Sequence, residues 1–190
     1  MGLAHGGASH GGFQLFTTLR ETVVAKLPTS TTFAQGAVMP QALSTAIVGL
    51  FELMRLRQPS LTPQRSEQTT LIWGGSSSVG SMAIQLARAA GYDVITTASK
   101  RNHEYARNLG ALEVFDYNDP GVVDTIKARL SHASFVGAYD CIGEESTTRA
   151  CAEIMTAFGG GVLPTVLFPP SNLPSNVKPV MGRSGSLDPR

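Results

Sequence analysis

Charge is scarce in this sequence, and so is cysteine. Only 15% of the 190 residues are Asp, Glu, Lys or Arg, and the formal net charge is +1. Nucleic-acid binding needs a concentrated basic face, and a membrane-surface anchor needs a polybasic cluster. Neither is present, so neither partner is expected. The two cysteines, Cys141 and Cys151, lie in apolar surroundings and are too few for a disulfide framework. A reduced, cytoplasmic setting follows as the simpler reading. No uninterrupted apolar run approaches the roughly 18 residues of a membrane span. The N-terminal Met1-Gly2-Leu3-Ala4-His5-Gly6 has no apolar signal-peptide core, and Gly6 stands where N-myristoylation wants Ser or Thr.

What is present is apolar periodicity. The apolar fraction of 42% and the length allow one domain with a real core and part of a second. Phe13–Lys26 contains strand-like stretches. Ala42, Leu43, Ala46, Ile47, Leu50, Phe51 and Met54 repeat at helical spacing behind Pro40, which predicts a long helix ending near Arg57. Strands and helices then alternate. Thr69–Trp73, Tyr92–Thr97, Glu113–Tyr117, Tyr139–Ile142 and Gly161–Phe168 read as strands. Helices are expected over Val79–Ala90, from a Ser99 cap to Leu109, from an Asp119-Pro120 start through Leu130, and over Glu145–Phe158. Crossovers of this length require a right-handed, doubly wound parallel sheet, so the class is α/β. Met181–Arg190 shows no periodicity.

Between the first strand and its helix lies Gly74-Gly75-Ser76-Ser77-Ser78-Val79-Gly80. A helix N-terminus offers unpaired N–H groups and a positive dipole end, which suits a pyrophosphate. Gly75 allows the turn, and Gly80 lets the helix pack closely on the sheet. The middle glycine of the dinucleotide pattern is Ser77 here, and the hydroxyls of Ser76, Ser77 and Ser78 are candidate phosphate donors. The plain alternative is a turn that only connects. The strand–turn–helix context favours the phosphate reading.

After the second strand, NAD-preferring domains place an acidic residue on the ribose 2′-hydroxyl. This chain has Thr97-Ala98-Ser99-Lys100-Arg101, and Asp93 sits at the wrong end of the strand. A hydroxyl and two cations suit a 2′-phosphate, so NADP is the expected cofactor, with Ser99 and Lys100 as its contacts. The alternative is that Lys100 and Arg101 are merely solvated. His5 and His10 lack a nearby Cys or acidic partner, and no metal is expected. Cys141 has apolar neighbours that disfavour a nucleophilic thiolate.

These segments, with Ser81-Met82-Ala83-Ile84-Gln85-Leu86-Ala87, Leu109-Gly110-Ala111 and Val114-Phe115-Asp116-Tyr117, resemble the cofactor half of the medium-chain dehydrogenase/reductase superfamily. The nearest likeness is to the zinc-free quinone oxidoreductase branch and the trans-acting enoyl reductases. The resemblance implies a Rossmann-type domain over residues 36–180, a remnant of a GroES-like catalytic β domain over 1–35, an irregular tail over 181–190, and a truncated chain. It also implies that Tyr117 lies beside the 2′-phosphate, that Cys141 and Ile142 border the adenosine, and that Thr45 and Leu163 approach the nicotinamide. On residue pattern alone, Tyr117 would be a packed aromatic and Thr45 a helix-interior threonine. The implied activity is NADPH-dependent reduction of an activated C=C or C=O bond in a small or thioester-linked substrate, with no protein nucleophile assigned. An inactive nucleotide-binding module is the alternative. The resemblance further implies a homodimer, paired through the sheet edge beyond the fifth strand.

Overall fold

A computed structural model describes residues 8–19, 21 and 24–182. His5 and most of the 181–190 tail lie outside the described residues. After a 3₁₀ turn at Ala8–His10 come α1 (Phe33–Ala37), capped by Thr32 and Gln35 acting reciprocally, and α2 (Met39–Ile47), with Pro40 in its first turn. A π-helical segment, Val48–Leu53, continues α2. The alternating part follows: β1 (Gln68–Trp73), α3 (Ser78–Ala89), β2 (Asp93–Thr97), α4 (His103–Asn108) and β3 (Glu113–Phe115). It continues with α5 (Val122–Leu130), β4 (Ser134–Asp140), α6 (Glu145–Ala157), β5 (Gly161–Thr165) and β6 (Val177–Met181).

The six strands form one sheet in the order β3-β2-β1-β4-β5-β6, and every pairing is parallel. This is the doubly wound arrangement expected from the alternating pattern. Its order reverses between β1 and β4, which opens a crevice at their C-terminal ends. The alternation of side chains along β1 divides the core in two. Ile72 packs with Leu50, Phe51, Ile84 and Tyr139 on one face. Leu71 and Trp73 pack with Ile126, Leu130, Ile154 and Leu163 on the other. Each fully buried Leu or Ile contributes about 1.5–3 kcal/mol from desolvation.

Several expected boundaries differ. Phe13–Lys26 holds no strand among its described residues, only an isolated bridge at Val24, and Phe13, Leu15 and Phe16 are exposed. The helix predicted to run on to Arg57 turns π-helical at Val48. There the buried Tyr139 hydroxyl donates to the Thr45 carbonyl at 3.0 Å, and a Cβ on Gly49 would stand 2.4 Å from the Tyr139 ring. The Asp119-Pro120 start gives way to a helix beginning at Val122, because the Asp119 carboxylate accepts from Gly121 N at 2.9 Å and spends itself on a preceding turn. Ser99 precedes a short 3₁₀ turn, Lys100–Asn102, and its hydroxyl accepts from the Asn102 side chain instead of capping α4. β4 begins five residues earlier than its apolar end suggested, at Ser134.

β6 is not among the strands that the residue pattern marks. Pro179 obscures its pattern, but the strand lies at the sheet edge, where a missing N–H is tolerated. Met181, assigned to the irregular tail, closes this strand. One helical run, Phe33–Leu53, has 21 residues and a mean hydropathy of 1.3, enough by length and composition to cross a membrane. Polar residues interrupt its apolar positions, so no continuous apolar run marked it. Its Ala42, Ala46, Val48, Leu50 and Phe51 are buried within the fold.

Candidate functional site

The crevice between β1 and β4 opens into a cavity of about 810 Å³. Trp73, Gly74, Ser76 and Ser77 wall it from the end of β1. Ser99, Arg101 and Asn102 contribute from the end of β2, and Tyr117, Asp119, Val122 and Val123 from the β3–α5 connection. Ile142, Glu144, Ser146, Thr147 and Ala150 close the side formed by β4 and α6. The volume falls in the range of small-molecule and cofactor sites.

The β1–α3 turn is built for close approach of backbone. Gly74 has φ +81°, a left-handed conformation that disfavours a side chain. Gly80 is required for a different reason. A Cβ there would lie 2.2 Å from the Gly74 carbonyl oxygen, so only glycine lets α3 pack against the turn. Ser77 is the N-cap of α3. Its hydroxyl accepts from Gly80 N at 3.0 Å and donates to the Cys141 carbonyl at 3.3 Å, stitching the two crevice turns together. Ser76 Oγ accepts from Asn102 Nδ2 at 3.4 Å. Among the described residues, the amides of Ser76, Ser78 and Val79 carry no hydrogen bond, and α3 has no acidic residue in its first turn. The end facing the cavity therefore keeps free donors and an uncompensated dipole.

The expected site residues separate into groups. Ser76, Ser77, Ser99, Tyr117 and Ile142 meet on the cavity wall. Gly75, Ser78, Val79 and Gly80 form the turn and first helical residues behind it. Cys141 is buried beneath the wall, and burial pushes its thiol well up, with the nearby Asp140 adding to the effect. Lys100 is not on the wall; Arg101 is. Lys100 and His103 instead help to hold the Asp116 carboxyl low, behind the larger effect of its hydrogen bond from Asn118 N. Thr45 is buried in α2, with Oγ1 donating to Gln41 O at 2.8 Å, and Leu163 is fully buried in the core. Neither lines the cavity.

Sequence reasoning passed over Asn102, Asp119, Glu144 and Thr147, all on the wall. The cavity is therefore of mixed charge, with Arg101 facing a rim that carries two carboxylates. It also passed over Asp140, an acidic residue ending an apolar strand, which was a visible signal. Among the described residues no cluster of three or more His, Cys, Asp or Glu could hold a metal.

Residues 78–187 match the zinc-binding dehydrogenase family. The chain belongs to that family, within the medium-chain dehydrogenase/reductase superfamily. The described residues do not supply a zinc-ligand set to match the family's name. The trans-enoyl reductase himH of Aspergillus japonicus is 45% identical over 181 residues, covering 95% of this chain and 52% of that protein. An alcohol dehydrogenase superfamily protein from Novosphingobium aromaticivorans shares the fold at a TM-score of 0.70 and 24% identity, over 95% of this chain and 52% of that one. The quinone oxidoreductase of Thermus thermophilus, solved also with NADPH, aligns at a TM-score of 0.63 and 19% identity, over 86% of this chain and 50% of that one. The chain thus spans about half the length of the curated relatives it matches.

Proposed function

We propose that this chain supplies the dinucleotide site of an NADPH-dependent oxidoreductase of the enoyl reductase or quinone oxidoreductase kind. The observation that carries the reading is the free N-terminus of α3 facing an 810 Å³ cavity at the switch point of the sheet. In this reading the amides of Ser76, Ser78 and Val79 receive the pyrophosphate. Ser99, Arg101 and Asn102 receive the 2′-phosphate, and the apolar slot between Val122, Val123 and Ala150 takes the adenine. Bound NADPH supplies the hydride itself, and the protein binds and orients it. The name of the himH relative and the family membership support an activated C=C or C=O bond as acceptor, in a small or thioester-linked substrate.

A second reading, a nucleotide-binding module without turnover, is favoured by one observation. Thr45 and Leu163, the residues expected beside the nicotinamide, are both buried away from the cavity. Calorimetric titration of the chain with NADPH and NADH tests what the readings share. Oxidation of NADPH with quinones or enoyl thioesters separates them. Binding with turnover supports the enzyme, binding alone supports the module, and failure to bind either dinucleotide rejects both.

A further inference from the structure

Asp140 is fully buried at the end of β4, and none of the described ion pairs includes it. An uncompensated carboxylate in such a place is costly unless neutral donors satisfy it. Four do. Oδ1 accepts from the amides of Ile142 and Gly143, both at 3.0 Å. Oδ2 accepts from the hydroxyls of Thr147 at 2.9 Å and Thr148 at 2.7 Å. The first pair fixes the turn after β4; the second fixes the first turn of α6.

Both of those turns are cavity wall, the first through Ile142 and the second through Thr147. The turn also touches the phosphate-binding side. A Cβ on Gly74 would lie 2.5 Å from the Ile142 side chain, so Ile142 packs directly over Gly74. The carbonyl of Cys141, held in the same turn, receives the Ser77 hydroxyl that caps α3. One buried carboxylate is therefore tied to both walls of the crevice.

There is an electrostatic consequence as well. Two helix N-termini border the cavity, those of α3 and α6. α6 already has the Asp140 carboxylate against its first turn, together with Glu144 and Glu145. α3 has no such anion. Phosphate is directed to α3 because α6 is already compensated.

We propose that Asp140 is a positioning residue, presetting the Ile142–Gly143 wall before nucleotide arrives and leaving α3 as the phosphate end. The inference rests on the nucleotide reading of the cavity. It assigns Asp140 to overall dinucleotide affinity and not to discrimination at the 2′ position, where Ser99 and Arg101 act.

The test titrates wild-type chain and the variants Asp140→Ala, Asp140→Asn and Thr70→Val with NADPH and NADH, alongside thermal unfolding. Asp140→Ala leaves the Ile142 and Gly143 amides and the Thr148 hydroxyl without an acceptor, while Thr147 keeps the Glu144 carbonyl at 3.0 Å, so NADPH affinity should fall at least about tenfold. The NADPH-to-NADH ratio should stay unchanged. Asn keeps an acceptor oxygen for both amides, and its affinity should remain within about threefold of wild type. Thr70→Val loses a buried sheet bond to Gly137 O, remote from the cavity, and should lower stability without altering affinity. Unchanged affinity in Asp140→Ala, or an equal loss in Thr70→Val, overturns the proposal while leaving the nucleotide reading intact. A wild-type chain that binds neither dinucleotide overturns both. Should Asp140→Ala fail to fold, amide hydrogen exchange of the nucleotide-free wild type decides. Ile142 and Gly143 protected as strongly as the β1 amides supports presetting, and free exchange of those two overturns it.

Discussion

At the scale of single residues, the serine in the middle of the glycine-rich turn has a plain physical account. Ser77 adopts φ −72°, which any residue tolerates, so glycine is not required there for conformation. Its hydroxyl accepts from Gly80 N and donates to Cys141 O, so a phosphate would have to draw that hydrogen away from the Cys141 carbonyl. Gly80 is the residue that cannot change. Gly80→Ala should cost about 1–3 kcal/mol by overpacking against the Gly74 carbonyl, read as a lower midpoint in thermal or urea unfolding. An unchanged midpoint would mean that α3 moves freely from the turn. The 2′-phosphate contact can be located in the same manner. Arg101→Ala should weaken NADPH binding roughly tenfold to a hundredfold with little change for NADH. Lys100→Ala should do less, because Lys100 is not on the cavity wall. The reverse order would return the role to Lys100. The sequence alone marked Ser99-Lys100-Arg101 as the cationic turn and favoured Lys100 over Arg101; the 3₁₀ turn that holds both leaves no periodic trace.

At the scale of elements, one ion-pair group holds the back of the sheet. Asp93, at the start of β2, accepts from Arg65 in the loop before β1 and from Arg88 in α3, each at 2.8 Å. Burial raises its carboxyl, but the two guanidinium hydrogen bonds outweigh that and hold it below the ordinary carboxylate range. A group depressed on folding contributes stability above its unfolded pKa, near 4, and loses it as pH falls through the folded value. Asp93→Asn should therefore be less stable than wild type at neutral pH, with the gap closing in acid. Arg65 is 71% exposed, so solvent screens its pair strongly. Denaturant unfolding across pH checks this, and a gap constant with pH would contradict it.

Elements were legible where one residue pattern sufficed. β1, α3 and β2 follow directly from an apolar run, a helical face and a terminating Gly91. β6 was not legible, because Pro179 breaks the alternation and only the neighbouring β5 makes the segment a strand. Nor was the Asp140 network, whose threonine donors are supplied from seven and eight residues further on by the way α6 docks.

At the scale of the whole molecule, parallel order and a switch point between β1 and β4 place every C-terminal strand end on one rim. The cavity follows from that topology, and the fold class followed from the alternation of strands and helices. What topology does not dictate is which groups reach the rim, and Thr45 and Leu163 are buried rather than set on the cavity wall. The central claim is that this rim holds NADPH. Calorimetric titration of the chain with NADPH and NADH at one salt concentration tests it most directly. The account predicts one site, with NADPH bound at least about tenfold more tightly than NADH. Equal affinities would contradict the 2′-phosphate assignment, and no heat of binding with either would contradict the site itself.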